Sequence, residues 1–197
     1  MPWVGFIWIS LLLASYFIGG IPTAYITARI IRGEDIRELG DHNAGAANVF
    51  RNIGPRAGLT VGVIDIAKGA VPVLLAKVAL DSPTAEMISG VLVIAGHNWP
   101  IFLRLRGGRG AATAVGVLIA TLPLLTLPVG IGSLVILYAT KKATAPLACF
   151  LILVSILAWW PVLDYSRAQV GYALLIPILV GLSHLISVRR FARASPR

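Results

Sequence analysis

Long runs of apolar residues, separated by short polar segments, constrain this chain more than any other feature. Seven such runs lie at about 4 to 30, 57 to 80, 84 to 103, 111 to 125, 127 to 140, 145 to 163 and 168 to 188. A transmembrane helix needs about 20 largely apolar residues, and continuous rather than alternating runs favour helices over a β-barrel. The sequence therefore predicts an all-α integral membrane protein of about seven transmembrane helices, forming a single polytopic domain over residues 1–197.

The composition excludes a soluble domain. Charged residues make up 13% of the chain and the mean hydropathy is +0.86, whereas soluble domains carry roughly a quarter charged residues. The first apolar run lacks a basic segment before it and exceeds signal-peptide length, so we expect a retained helix. Pro123 and Pro128 mark either a tight turn or kinks in one long helix, which leaves six or seven spans open.

The basic residues predict the orientation of the chain. With seven spans, one side receives 14 of the 17 Lys and Arg, in the segments 29 to 56, 104 to 109, 141 to 142 and from 189 onward. Such a bias marks the cytoplasmic side, so we expect the amino terminus outside and the carboxyl terminus in the cytoplasm. The net charge is +9, and the basic residues lie between apolar runs rather than on a soluble face. This placement favours anionic headgroups or phosphates over nucleic acid as partners.

The segment Arg29 to Arg56, here called the first polar loop, is too polar to span a membrane and too long for a simple turn. Gly45 lets the backbone approach a ligand closely, and the amides of Asn43 and Asn48 with the guanidinium of Arg51 supply donors suited to phosphate. The alternative is an ordinary solvated loop whose arginines fix the topology.

The segment 95 to 113, here called the second polar loop, combines His97 and Asn98 with the glycine-rich stretch Gly107 to Gly110. A glycine-rich loop that leads into a helix aims backbone N–H groups at an anion, and Arg109 adds charge. The stretch lacks the Lys-Ser/Thr ending of a nucleotide-binding P-loop. The alternative is a topological anchor. His97 is a candidate general base, or else a hydrogen-bonded structural residue.

Two charges lie near the middle of the second apolar run. Asp65 and Lys68 are three residues apart on one helical face, and an uncompensated charge there costs several kcal/mol. A mutual ion pair is the expected solution, serving either the helix bundle or the orientation of a loop. The only cysteine, Cys149, lies in an apolar run and leaves no disulfide or cysteine metal site.

These elements, in their order along the chain, carry a family resemblance. The matching stretches are Ser15 to Thr23, Asp35 to Arg37, Asn43 to Ala46, Asn48 to Arg51, Asp65 to Gly69, Gly96 to Pro100 and Gly107 to Gly110. Together they cover nearly the whole chain and resemble the bacterial acyl-phosphate glycerol-3-phosphate acyltransferases. That family makes lysophosphatidic acid, for phospholipid synthesis, from an acyl phosphate and glycerol 3-phosphate.

The resemblance implies a seven-helix fold in the cell inner membrane, a site facing the cytoplasm, and no metal or other cofactor. The family is described as having no conventional catalytic dyad, so the general base stays open, with His97 as the candidate catalytic residue and a substrate phosphate as the alternative. The implied substrate and phosphate ligands are Asn43, Gly45, Asn48, Arg51, Lys68, Asn98, Gly107, Gly108, Arg109 and His184. Arg109 takes the place of the family's phosphate-binding lysine.

Three stretches depart from the family pattern. The usual Ser-Gly-Asn reads Asp41-His42-Asn43, the Thr before the next Asn is Ala47, and the carboxyl-terminal His-Arg-Glu-Asn reads His184-Leu185-Ile186-Ser187. A carboxylate at Asp41 repels a phosphate unless a protonated His42 compensates or the acceptor carries a group that a carboxylate binds. The alternatives are therefore a related acyltransferase with another acceptor or donor, and a transporter or binder of phosphorylated lipid.

Overall fold

The computed structural model describes residues 2–140 and 144–194. Within these residues the chain is helical and contains no strand, which confirms the all-α prediction. The helices there are α1 (Pro2–Gly20), α2 (Thr23–Arg32), α3 (Ala46–Asn52), α4 (Pro55–Leu80), α5 (Pro83–Asn98), α6 (Ala111–Thr121), α7 (Pro123–Thr140), α8 (Thr144–Leu157) and α9 (Arg167–Ala194). Lys141 and Lys142, which the charge argument counts, lie outside the described residues.

Five segments are long and apolar enough to cross a membrane: Trp3–Arg32, Pro55–Leu80, Pro83–Leu103, Pro123–Thr140 and Arg167–Arg189. Two shorter apolar helices, Ala111–Thr121 and Ala145–Leu157, complete the set found among the described residues. The 11 residues of α6 rise only about 16 Å, roughly half of the hydrocarbon thickness. A helical multi-pass membrane protein is thus confirmed, whereas seven crossings and their orientation stay predictions.

Prolines shift two of the predicted boundaries. The fourth and fifth runs were divided near residue 126, but the division falls at Leu122, because Pro123 begins α7 and Pro128 lies inside it. A proline in the first turn of a helix loses no hydrogen bond. The first run is also interrupted, since Pro22 stands between α1 and α2.

Glycines bring α4 and α6 into backbone contact. A Cβ placed on Gly69 would collide with the carbonyl oxygen of Thr113, and one on Gly116 would collide with that of Ile66. Helices in a membrane associate without a hydrophobic driving force, so close packing at small residues carries much of the stabilisation. The α4–α6 crossing is therefore fixed by the absence of two side chains.

The crossing of α1 and α5 uses the same device. A Cβ on Gly19 would meet the Val93 carbonyl, and one on Gly96 would meet that of Tyr16. The lack of a side chain at Gly19 and Gly96 therefore permits this close helix packing. Since α5 ends at Asn98, the crossing also fixes where the second polar loop begins.

Two apolar clusters flank the polar loops. The larger one joins α4, α5, α6, α8 and α9 through buried side chains that include Val73, Val93, Val117, Phe150 and Ile176. The smaller one lies beneath the first polar loop and contains Ala24, Ala28, Ile36, Ala44, Val49, Val61 and Leu103. Leu103 belongs to the second polar loop, so this smaller cluster packs the two loops against each other.

The glycine contacts predict a stability difference between two matched substitutions. We expect Gly116→Ala to lower the thermal midpoint of the purified protein in detergent, because overpacking costs about 1–3 kcal/mol. Gly181, on α9, has no atom within 4 Å of its Cβ position, so Gly181→Ala should be neutral or slightly stabilising, as alanine is the better helix former. A midpoint for Gly116→Ala equal to that of Gly181→Ala would contradict the packing argument.

Candidate active site

The first polar loop is folded around the side-chain amide of Asn48. Its Nδ2 donates to the backbone carbonyls of Ile36, Leu39 and Asn43, each at 3.0 Å. Its Oδ1 accepts from Asn52 Nδ2 at 2.7 Å, and the side chain is completely buried. The amide therefore holds three turns of the loop together, while the predicted contact between Asn48 and a phosphate stays a prediction.

Arg37 clamps the first polar loop to the second. Its guanidinium forms an ion pair with Asp35 at 2.6 Å and donates to the Leu103 carbonyl at 3.1 Å. The hydrogen bonds from Arg37 lower the pKa of the Asp35 carboxyl, against the opposing effect of partial burial, and the pKa of Arg37 is raised in turn. Both groups are charged at neutral pH, so the clamp is an ion pair.

The second polar loop folds back onto the end of α5. The N–H of Gly107 donates to the Asn98 carbonyl at 3.2 Å, and that of Gly108 donates to the His97 carbonyl at 3.1 Å. A Cβ on Gly108 would collide with Nε2 of His97, and one on Gly107 with the His97 carbonyl. In the structure these two N–H groups bond to α5, so the visible role of the glycines is to permit this close approach.

A buried polar cluster joins α4, α5 and the break between α1 and α2. The Asp65 Oδ1 atom accepts from Thr23 Oγ1 at 2.6 Å and pairs with Lys68 Nζ at 2.8 Å. Lys68 also donates to the Ile21 carbonyl at 2.9 Å, and His97 Nδ1 lies 3.8 Å from Asp65 Oδ1. The expected pairing of Asp65 with Lys68 is confirmed, and it orients both the helix break and His97.

Asp41 joins the arginines of the two polar loops. Its Oδ2 atom accepts from Arg51 at 2.9 Å and from Arg109 at 3.1 Å. A protonated His42 or a suitable group on the acceptor would offset the charge of Asp41. The structure shows a third way, since the guanidinium groups of Arg51 and Arg109 both lie on one carboxylate oxygen of Asp41.

Unpartnered buried polar atoms concentrate at the same place. Of the eight such side-chain atoms among the described residues, five belong to Asp41 (Oδ1), Asn43 (Oδ1), Asn98 (Nδ2 and Oδ1) and Arg109 (Nε). Leaving a buried donor or acceptor unpaired costs about 1–3 kcal/mol, so such a concentration is typical of a site that binds a polar ligand.

A small cavity and a larger groove lie next to these residues. A cavity of about 10 Å³ is lined by Thr23, Lys68, His97 and Gly108, among others, and holds about one water. A larger apolar groove of about 310 Å³ follows the outer faces of α1 and α4, lined by side chains that include Phe6, Leu11, Ser15, Ile18, Pro72 and Leu75. The groove ends within one helical turn of Gly19 and Gly20, which line the cavity.

The structure brings most of the candidate residues from the sequence together. Those in or beside the meeting point of the two loops are Asn43, Gly45, Arg51, Lys68, His97, Asn98, Gly107, Gly108 and Arg109. His184 is exposed on α9, and no hydrogen bond or ion pair between it and these residues is found in the described part of the chain. Its substrate contact stays a prediction.

Sequence reasoning missed the partners of two acidic groups. It did not assign Thr23 to Asp65 or the two arginines to Asp41, because nothing in one sequence specifies a pairing across 42 or 68 residues. The only signal available was the unusual Asp41 itself.

The chain is similar to known proteins over most of its length. The family model for glycerol-3-phosphate acyltransferase matches residues 9–194. Glycerol-3-phosphate acyltransferase 4 of Dehalococcoides mccartyi is 42% identical over 182 residues, which cover 90% of this chain and 95% of the relative. The glycerol-3-phosphate acyltransferase of Prochlorococcus marinus is 31% identical over 189 residues, 94% of each chain.

Solved structures show the same fold. The crystal structure of PlsY, an integral membrane glycerol 3-phosphate acyltransferase, in its glycerol 3-phosphate form superimposes with a TM-score of 0.78 at 26% identity, over 96% of this chain and 94% of that one. The lysophosphatidic acid form of PlsY gives the same values. From the extent of these matches, this chain belongs to the glycerol-3-phosphate acyltransferase family.

Proposed function

We propose that this chain moves a fatty acyl group from an acyl phosphate to glycerol 3-phosphate and so makes lysophosphatidic acid for phospholipid synthesis. The hydroxyl oxygen of the acceptor attacks the acyl carbonyl carbon, the bond from that carbon to the phosphate oxygen breaks, and inorganic phosphate leaves with the electron pair. The observation that carries the proposal is the meeting of Arg51 and Arg109 at Asp41, in a loop whose Gly108 packs against His97. The family includes a relative solved in glycerol 3-phosphate and lysophosphatidic acid forms.

The phosphate groups are bound where the two polar loops meet. Arg51 and Arg109 supply planar forks of N–H donors, which suit phosphate oxygens better than a point charge does. The buried amide of Asn98 and the Oδ1 of Asn43 add unpartnered polar atoms next to them. An acyl phosphate already carries a good leaving group, so positioning the substrates and neutralising charge supply much of the rate enhancement.

The acyl chain lies in the apolar groove between α1 and α4. Its inner end, at Ser15 and Ile18, adjoins the cavity beside His97 and Lys68. A chain lying there keeps its hydrocarbon within the membrane while its carbonyl reaches the polar loops.

The hydroxyl proton has two candidate destinations. His97 Nε2 faces Gly108 at the cavity, while Nδ1 faces Asp65, so the ring is oriented with one nitrogen toward the site. The other candidate is an oxygen of a substrate phosphate, which needs no protein base. We propose His97 as the general base. Replacing His97 should lower kcat if His97 takes the proton, and should have little effect on kcat if a substrate phosphate takes it.

We propose further that the site faces the cytoplasm. One experiment with oriented vesicles tests both this orientation and the reaction. Right-side-out vesicles that contain the protein and acyl phosphate should release inorganic phosphate with external glycerol 3-phosphate only after detergent permeabilisation, because this charged acceptor does not cross the bilayer. Inside-out vesicles should need no detergent. Equal release from intact right-side-out vesicles would contradict the cytoplasmic site.

The permeabilised sample separates the orientation from the reaction. If it releases no phosphate with glycerol 3-phosphate, the proposed reaction is wrong. Release that occurs only with another acceptor would favour a related acyltransferase instead. Binding of either phosphate compound without turnover would favour a transporter or lipid binder.

His97→Gln tests the assignment of the base. Glutamine keeps a polar group in the same space but cannot take a proton, so we expect kcat to fall about 10²- to 10⁴-fold with the KM for glycerol 3-phosphate nearly unchanged. The thermal midpoint serves as the control for folding. A fall in kcat of less than tenfold in a well-folded variant would assign the proton to a substrate phosphate.

A further inference from the structure

We propose that Asp41 is an internal competitor of the substrate phosphate for Arg51 and Arg109, and that it thereby sets the affinity of the acceptor. This inference rests on the proposed function, in which these two arginines bind phosphate. The carboxylate accepts from Arg51 at 2.9 Å and from Arg109 at 3.1 Å, so it occupies one N–H donor of each guanidinium and offsets part of the positive charge that attracts a phosphate. Binding of the acceptor is therefore an exchange of one anion for another.

The two anions compete for the same pair of guanidinium groups. Both guanidinium groups converge on the single atom Oδ2 of Asp41, while Oδ1 is buried without a partner. A phosphate offers three terminal oxygens and up to two negative charges, so it can engage each arginine through a different oxygen. A carboxylate left beside it would repel it, and the stable outcome is displacement of Asp41.

The degree of exposure shows that this exchange is feasible. The side chains of Asp41, Arg51 and Arg109 are 32%, 49% and 20% exposed, and ion pairs that water reaches are weak. The turn that carries Asp41 has positive φ angles at Gly40 and His42, which places the carboxylate on a tight surface bend rather than in a helix.

A second ion pair in the same loop provides the contrast. Asp35 is only 9% exposed, and it accepts from the backbone N–H of Arg37 as well as from its guanidinium. Arg37 is tied further to the Leu103 carbonyl. Asp35 therefore holds the fold of the loop, whereas Asp41 pairs with the two arginines of the candidate phosphate site.

The competition has a predictable size. When a ligand binds only the fraction of molecules whose site is free, its apparent dissociation constant rises by the inverse of that fraction. If Asp41 holds the arginines about nine-tenths of the time, phosphate binds about tenfold more weakly than it otherwise would. The same factor applies to any phosphate that engages both arginines.

The test compares anion affinity in matched variants of the full-length protein in detergent. The measurements are the dissociation constant of inorganic phosphate, by calorimetry, and the KM for glycerol 3-phosphate. We expect Asp41→Asn to lower both about tenfold, and Asp41→Glu, which keeps the carboxylate, to stay closer to the parent. Asp35→Asn, the local charge control, should not tighten phosphate binding.

Several results would overturn the inference. Unchanged or weaker phosphate binding in folded Asp41→Asn would assign Asp41 a structural role, and a raised KM with unchanged phosphate affinity would mean that Asp41 contacts the glycerol part of the acceptor. If Asp35→Asn bound phosphate as much more tightly as Asp41→Asn does, the gain in affinity would come from the change in net charge and not from the position of Asp41. If Asp41→Asn does not fold, Asp41→Ser takes its place in every comparison.

The two proposals fail separately. A parent enzyme that releases no phosphate with glycerol 3-phosphate would contradict the proposed reaction, yet the binding of inorganic phosphate would still test Asp41. A parent that is active while its Asp41→Asn variant gains no affinity would contradict the competition alone.

Discussion

The buried ion pair between Asp65 and Lys68 is the interaction on which the arrangement of the site depends. A charge inside a membrane helix is costly unless it is paired and hydrogen-bonded, and here the partners come from other parts of the chain. Thr23 and the Ile21 carbonyl bind the pair from the break between α1 and α2, and His97 faces it from α5. One pair in α4 thus fixes the neighbours that carry both polar loops.

That arrangement requires helices to lie closer together than ordinary side chains allow. Gly69 and Gly116 bring α4 and α6 into contact, and Gly19 and Gly96 do the same for α1 and α5. Because α5 and α6 flank the second polar loop, the two crossings determine the positions of His97 and Arg109. Packing inside the bilayer and chemistry at its surface are therefore linked through the same few glycines.

Much of this was predictable from the sequence, for physical reasons. Backbone groups in hydrocarbon must be satisfied within the segment, so long apolar runs predict helices, and two charges three residues apart in one run predict an ion pair. The order of short motifs predicted the family, and the family resemblance took the candidate site residues from both polar loops. The division between α6 and α7 was misplaced, because both Pro123 and Pro128 are compatible with a break.

Other features were beyond the sequence because they depend on which groups meet in space. The amide of Asn48 bonds three carbonyls of its own loop, while its predicted contact with a phosphate stays a prediction. The N–H groups of Gly107 and Gly108 bond α5, and their binding of an anion likewise stays a prediction. Amides and glycines suit either role, and only the fold decides which neighbours they have.

The most direct test of the central claim, that two polar loops bind phosphate jointly, is the KM for glycerol 3-phosphate in Arg109→Ala. A charge-assisted contact is worth about 1.5 to 3 kcal/mol, so the KM should rise about tenfold to a hundredfold. Arg109→Lys should recover much of the loss, and Arg106→Ala, an exposed arginine of the same loop, should match the parent. A correctly inserted Arg109→Ala enzyme with the parental KM would contradict the account and leave Arg109 as a topological anchor.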